Sequence, residues 1–245
     1  PSGSWTHLAV TWKTGGNITG YVNGAQVNSI SASSNNLGTT TQELRIAVAP
    51  YFSSPSAFYV TGRLDEIRIS STNRSAQWIA TGYNNTYSPS TFISVGSQVE
   101  SECMVTPTPT PTVDPGTWYD CSWQERKKIT IDHDAVSGTQ ANFTVLVYLT
   151  SDSSLSSSAR NDGYDILFTS SDGTTQLSHE IESYTSGTGA LTAWVRVPSL
   201  SSSTDTVLYM YYGNSGASNQ EDPVNAWDPN YRAVWHLTDL LDSTS

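Results

Sequence analysis

The sequence predicts an all-β protein: two β-sandwich-like units carrying a few short helices, held apart by an extended spacer. Short segments in which apolar and polar residues alternate recur along the chain, bounded by Gly, Asn, Asp and Ser. Asn23-Gly24 and Asp172-Gly173 are hairpin signals, because tight strand-to-strand turns need positive φ at their central residues. The run Pro107-Thr-Pro-Thr-Pro-Thr112 interrupts the pattern. Alternating proline fixes φ near the polyproline II value and removes every second amide donor, so this run joins neither sheet nor helix.

Taken in order, Trp5-Thr-His-Leu-Ala-Val-Thr-Trp12 alternates as a strand. Gly15-Gly16-Asn17 then turns the chain into a second strand, Ile18 to Asn23, which ends in the Asn23-Gly24 turn. Further strands are predicted at Glu43 to Val48 and Gly62 to Ser70. A short helix is predicted over Ser75 to Tyr83, capped by Asn73 or Ser75, with Trp78, Ile79 and Gly82 at helical spacing.

Beyond the spacer, Trp118-Tyr-Asp-Cys-Ser-Trp123 leads into a strand at Lys127 to Asp132. Phe143 to Thr150 follows, with Phe143, Val145, Val147 and Leu149 on one face. A helix at Ser154 to Arg160 precedes strands at Asp165 to Phe168, Gln176 to Tyr184, Ala190 to Val197 and Thr206 to Tyr212. In the last of these, Val207, Tyr209 and Tyr211 share one face while Leu208, Met210 and Tyr212 share the other, so the strand reads as buried on both sides. Ala233-Val-Trp-His-Leu237 reads as one more strand beginning.

Two resemblances follow from these residues. Trp5 to Trp12, Gly20-Tyr-Val-Asn-Gly24, Gly62-Arg-Leu-Asp-Glu-Ile-Arg-Ile69 and Arg74 to Asn84 together resemble the closing half of a laminin-G-like module of the concanavalin A-like lectin and glucanase superfamily. This implies a partial jelly-roll sandwich over residues 1–100. Trp118-Tyr-Asp120, Trp123 to Ile131, Asp162 to Thr169, Asp172-Gly-Thr174, His179 to Glu182, Trp194 to Pro198 and Leu208 to Gly213 are similar to the bacterial and archaeal domain of unknown function 2341. That module is placed at residues 117–230, after a linker at 101–116. The tail, 231–245, looks like the opening strand of another laminin-G-like module, so both ends are expected to be cuts through domains.

The net charge of −11 argues against nucleic acid and anionic membrane surfaces as partners, since both recruit basic patches, while neutral sugars and calcium remain compatible. No apolar run approaches the 18 residues that a membrane span requires. Cys103 and Cys121 flank the spacer, and a disulfide between them would pin it as a hinge if their Cα atoms approach within about 7 Å; two free thiols are the alternative.

No catalytic constellation emerges. Glucanases of the concanavalin A-like fold place carboxylates at alternate positions of one strand face, whereas Asp65 and Glu66 are adjacent and fall on opposite faces. His133 lies between Asp132 and Asp134 without a partner nucleophile and reads as a strand end entering a polar turn. Asp162 and Asp165, near Asn161 and Gly163, form the candidate calcium turn, with a solvated turn as the alternative. The candidate saccharide platform is the hairpin of Gln176 to Tyr184 and Ala190 to Val197. If Leu177, Ile181, Leu191, Ala193, Val195 and Val197 face the core, then Trp194, Tyr184, Arg196 and Glu182 share the opposite face, where rings stack on sugar and charged groups bind hydroxyls. The sequence thus predicts a non-catalytic, extracellular fragment of a modular secreted or surface protein that binds polysaccharide or glycan, or adheres, beside neighbouring modules of its own chain. The alternatives are a structural stalk and an accessory segment of a glycoside hydrolase.

Overall fold

The computed structural model describes residues 4–31, 48–50, 57–59, 62–101, 118–237 and 243–244. The Pro-Thr run, Cys103 and all but Val48 of the strand expected at Glu43 to Val48 lie outside the described residues.

Strands β1 (Leu8–Trp12), β2 (Asn17–Val22) and β3 (Ala25–Ser31) form an antiparallel meander. Asn23 and Gly24 have φ of 50° and 75°, the paired positive values that the predicted tight turn requires. Gly24 is also a close approach, since a Cβ there would meet Tyr83 at 3.1 Å. Register places Leu8 and Val10 on one face with Ile18 and Ile30, and all four are exposed, while Tyr21 is buried on the other face. Trp5, just before β1, is 59% exposed. Strands β4 (Val48–Pro50) and β5 (Ala57–Tyr59) pair with each other.

After β6 (Ile67–Ser70), helix α1 (Ala76–Tyr87) starts where the capping chemistry directs it: the Ser75 hydroxyl accepts the Trp78 amide at 3.1 Å. The helix runs four residues past its expected end, then Pro89 opens the short α2 (Pro89–Phe92), which leads into β7 (Ile93–Glu100). The sequence reading contained neither α2 nor β7.

The remaining elements are β8 (Glu125–Ile131), β9 (Gln140–Leu149), α3 (Ser153–Ser158), β10 (Leu167–Ser170), β11 (Gln176–Leu177), β12 (His179–Thr185), β13 (Ala190–Leu200), β14 (Thr206–Tyr212), α4 (Pro223–Ala226) and β15 (Tyr231–Trp235). A five-stranded sheet in the order β11-β10-β14-β8-β7 packs against a three-stranded sheet, β12-β13-β9. Their inner faces interdigitate: Ile129, Ile131, Phe168, Leu208, Met210 and Tyr212 from one sheet meet Phe143, Val145, Val147, Leu191, Val195 and Val197 from the other. Both predicted apolar faces, on β9 and on β13, are therefore the core faces. The outer side of β14 is covered as well, since Tyr211 is buried with Trp118, Trp123 and Leu167, so that strand is enclosed on both faces.

The separation of two units near residue 100 does not describe this core. Phe92 and Ile93 lie inside the sandwich, and β7 extends the five-stranded sheet by pairing with β8. Helix α1 closes the edge of the other sheet. The fully buried Asn85 side chain accepts the Leu146 amide at 2.9 Å and donates to the Thr144 carbonyl at 3.3 Å, on the side of β9 where no strand pairs among the described residues. Residues 76–100 thus belong physically with residues 118–236. Cys121 is disulfide-bonded, and Cys103 is the one other cysteine in the chain.

Candidate saccharide cleft and the buried tryptophan cluster

The predicted face of the β12–β13 hairpin exists, with altered membership. Glu180, Glu182 and Trp194 share it, and the Trp194 indole donates to Glu182 Oε2 at 2.9 Å. Tyr184 does not. A register shift between Ile181 and Ser183 makes Glu182 the extra residue of a bulge, which reverses the parity of the strand beyond it. Tyr184 therefore packs on the core and donates its hydroxyl to the Leu155 carbonyl at 3.1 Å. Burial pushes its phenol up to about 12.

Trp194 is 1% exposed, which removes the open stacking surface expected of it. The segment from Asp222 to His236 folds back over the hairpin and buries Trp194 beside Leu146, Ala226, Trp227 and Val234. His236 stacks on Trp194 at 5.4 Å, the two indoles touch with their centroids 5.2 Å apart, and the Arg68 guanidinium packs over both, 4.6 Å from Trp194 and 4.9 Å from Trp227. Arg196 is half-buried and donates to the Asn225 carbonyl at 3.3 Å, so it too is committed to this cover.

The cluster is charged as well as aromatic. His236 Nδ1 sits 2.5 Å from Glu66 Oε1 and 3.6 Å from Glu182 Oε2, and its Nε2 is 3.5 Å from Glu180 Oε2. Burial disfavours the imidazolium, but the hydrogen bonds and attraction of Glu180 and Glu66 outweigh it and raise His236 to about 10. Burial raises the Glu182 carboxyl, whereas Arg68 and His236 overcome the same effect at Glu66 and hold it below the usual range. Glu180 accepts the Trp227 indole at 2.7 Å and the Ser243 hydroxyl at 2.7 Å. The Glu66, Glu182 and His236 donors lie within 4.8 Å of one another, a spacing that suits a metal, but Arg68 Nη2 at 2.6 Å from Glu66 already supplies the positive charge.

The two aspartates of the expected calcium turn are also committed elsewhere. Fully buried Asp165 accepts the amides of Arg160 at 2.9 Å, Gly213 at 2.8 Å and Asn214 at 3.0 Å. Asp162 forms a two-pronged ion pair with Arg160, at 3.0 and 2.7 Å. Asp165 points inward to brace the loop after β14 while Asp162 stays at the surface, so the two carboxylates are engaged with different partners. His133 lies in an exposed turn, bonded to Asp205 at 2.6 Å, in line with the polar-turn reading.

What the hairpin loses at Trp194, the same sheet regains at its other end. On β9, Leu146 and Tyr148 occupy the outer face, opposite Trp194 and Thr192. The cover reaches Leu146 and stops short of Tyr148, which is 47% exposed. Across from it stands Tyr87, 61% exposed, at the end of α1. Together with Ser88, Pro89, Ser90, Leu149, Thr150 and Ser151 they line an open cleft of about 450 Å³. Its walls are registered by Asn85, which fixes α1 to β9 two residues before each tyrosine. Tyr83, one turn earlier on α1, stacks on Tyr87 at 4.9 Å and steadies the ring. Among the described residues, the cleft lining offers aromatic faces and hydroxyls and no carboxylate or imidazole. The signal missed in the sequence was the i, i+4 tyrosine pair on the helix, which becomes meaningful only when β9 is placed beside it.

No curated protein and no solved structure matches the chain. Residues 1–80 match the concanavalin A-like lectin/glucanases superfamily, and residues 162–229, which carry the hairpin and its tryptophan cover, match domain of unknown function 2341.

Proposed function

We propose that this chain is a non-catalytic, carbohydrate-binding segment of a secreted or surface modular protein, and that a neutral saccharide chain occupies the cleft between Tyr87 and Tyr148. The carrying observation is the pair of exposed tyrosines facing one cleft walled by serine and threonine. Tyrosine rings stack on the C–H faces of sugars, and the surrounding hydroxyls exchange hydrogen bonds with sugar hydroxyls without the desolvation cost of a charge. The match of residues 1–80 to a lectin and glucanase superfamily supports binding of this class. The reading is of binding without hydrolysis, supported by the contrast with glycosidases, which flank the sugar with a pair of carboxylates: among the described residues none lines the cleft, and Glu66, Glu180 and Glu182 are engaged inside the tryptophan cluster.

A glycan array probed with the full chain tests this. Binding is expected to neutral polysaccharide fragments, with at least a tenfold loss in Tyr87→Ala and Tyr148→Ala and an unchanged thermal transition. A silent array, or variants that bind like the parent, overturns the assignment.

A further inference from the structure

Of the three lysines, Lys13 and Lys128 are exposed and Lys127 is buried. Its Nζ is hydrogen-bonded to Asp152 Oδ2, and the two side chains are 10% and 11% exposed. Lys127 stands on β8 of the five-stranded sheet, whereas Asp152 follows β9 of the three-stranded sheet, so the pair spans the sandwich. Asp152 is held from several sides. Its Oδ1 accepts the Ser154 amide at 3.1 Å, the Leu155 amide at 3.0 Å and the Ser154 hydroxyl at 2.7 Å. Its own amide donates to the Thr188 carbonyl at 2.9 Å, and Gly189 approaches so closely that a Cβ there would meet the Asp152 carbonyl oxygen at 1.9 Å. Glu125, two residues before Lys127 on the same strand face, accepts the Ser158 hydroxyl at 2.7 Å through Oε1. Its Oε2 is buried and has no hydrogen-bond partner among the described residues, a costly state for a carboxyl oxygen. Tyr212, the register partner of Glu125, donates its hydroxyl to Ser154 Oγ at 3.1 Å.

We propose that Lys127 and Asp152 condense to an amide, a covalent cross-link between the two sheets that the chain forms within itself. The parts of an acyl transfer are in place: an amine against a carboxyl, donors on the oxygen that becomes negative, and a carboxyl oxygen able to take a proton. Removal from water disfavours a separated ion pair, so a proton passes along the hydrogen bond from Nζ to Oδ2 and leaves a neutral amine beside a neutral acid. The Nζ lone pair then bonds to Asp152 Cγ. Negative charge gathers on Oδ1, where the Ser154 and Leu155 amides and the Ser154 hydroxyl receive it. Glu125 Oε2 takes the second proton from the nitrogen and returns it to Oδ2 as the Cγ–Oδ2 bond breaks and its electron pair leaves with the oxygen. One water is released, the third proton stays on the amide nitrogen, and no other reactant is consumed. Gly189 is a positioning residue, because it lets the backbone of Asp152 sit where its carboxyl meets the amine. The bond would close a loop between residues 25 apart and restrict the unfolded chain as a disulfide does.

Intact-mass spectrometry of the purified full chain after reduction tests this. The expected mass is one water below that of the sequence, and proteolysis should release a branched peptide joining Lys127 to Asp152. Lys127→Arg keeps a cation beside Asp152 but has no nucleophilic amine, and Glu125→Gln keeps the side-chain shape without the proton acceptor; both are expected at the full sequence mass. A parent chain at full mass overturns the proposal, whatever the variants do. A missing water without the Lys127–Asp152 branch, or one that persists in Lys127→Arg, overturns it equally, since the dehydration then lies elsewhere. A deficit unchanged in Glu125→Gln overturns the part given to Glu125.

Discussion

Replacing Trp194 by alanine separates a buried structural residue from an open sugar platform. The side chain is 1% exposed, so truncation empties a volume enclosed by Leu146, Ala226, Trp227 and Val234, at a cost of roughly 3–5 kcal/mol. Two further losses accompany it. Glu182 Oε2 gives up the indole N–H it accepts, about 1–3 kcal/mol for a buried acceptor, and Arg68 loses one of the two rings it packs over, about 0.5–2 kcal/mol. These contributions share partners and do not add fully, so the expected destabilisation is about 4 kcal/mol or more. For a chain of this size that lowers the unfolding midpoint by about 8–16 °C. Trp194→Phe keeps a ring for Arg68 and loses the N–H, and should fall between the two. Thermal and urea unfolding followed by circular dichroism measure the differences, with Tyr148→Ala as an exposed control expected within about 0.5 kcal/mol of the parent. A Trp194→Ala chain as stable as the parent that has lost sugar binding would refute the buried-cluster account and restore the hairpin platform.

Two other consequences concern the same junctions. His236 titrates near 10 in the folded chain against an ordinary 6.5, so its stabilisation is fully present below about pH 6.5 and is lost as pH rises toward 10. The unfolding free energy should therefore decline across that window, and His236→Gln should flatten the slope; an unchanged slope in the variant contradicts the ion cluster. Asn85→Ala leaves the Leu146 amide and the Thr144 carbonyl without partners at a closed sheet edge, at about 1–3 kcal/mol for each, and should loosen the Tyr87 wall. Hydrogen exchange is expected to accelerate first at Leu146, and unaltered protection there would show that α1 is not what closes the edge.

Local patterns were enough to place most strands, the Asn23-Gly24 turn, the Ser75 cap and the core faces of β9 and β13, because alternation and capping depend on residues close in sequence. The same alternation placed Glu182 and Trp194 on one face and could do no more, since which face is covered depends on a segment thirty to forty residues away. Tyr184 was misassigned for a narrower reason: one bulged residue reverses strand parity, and nothing in the residue types of Glu182 or Ser183 announces it. The acidic spacing of Asp162 and Asp165 likewise suggested a shared ion until the loop after β14 supplied amides to one of them. What the sequence by itself determined is the alternating, turn-punctuated β character and the absence of a catalytic motif. Tertiary structure alone decided that residues 76–100 complete the second sandwich, that the tryptophans turn inward beneath Arg68, and that two tyrosines 61 residues apart in the chain face one cleft, because each of these rests on contacts whose partners are far apart in sequence and whose energies appear only on burial.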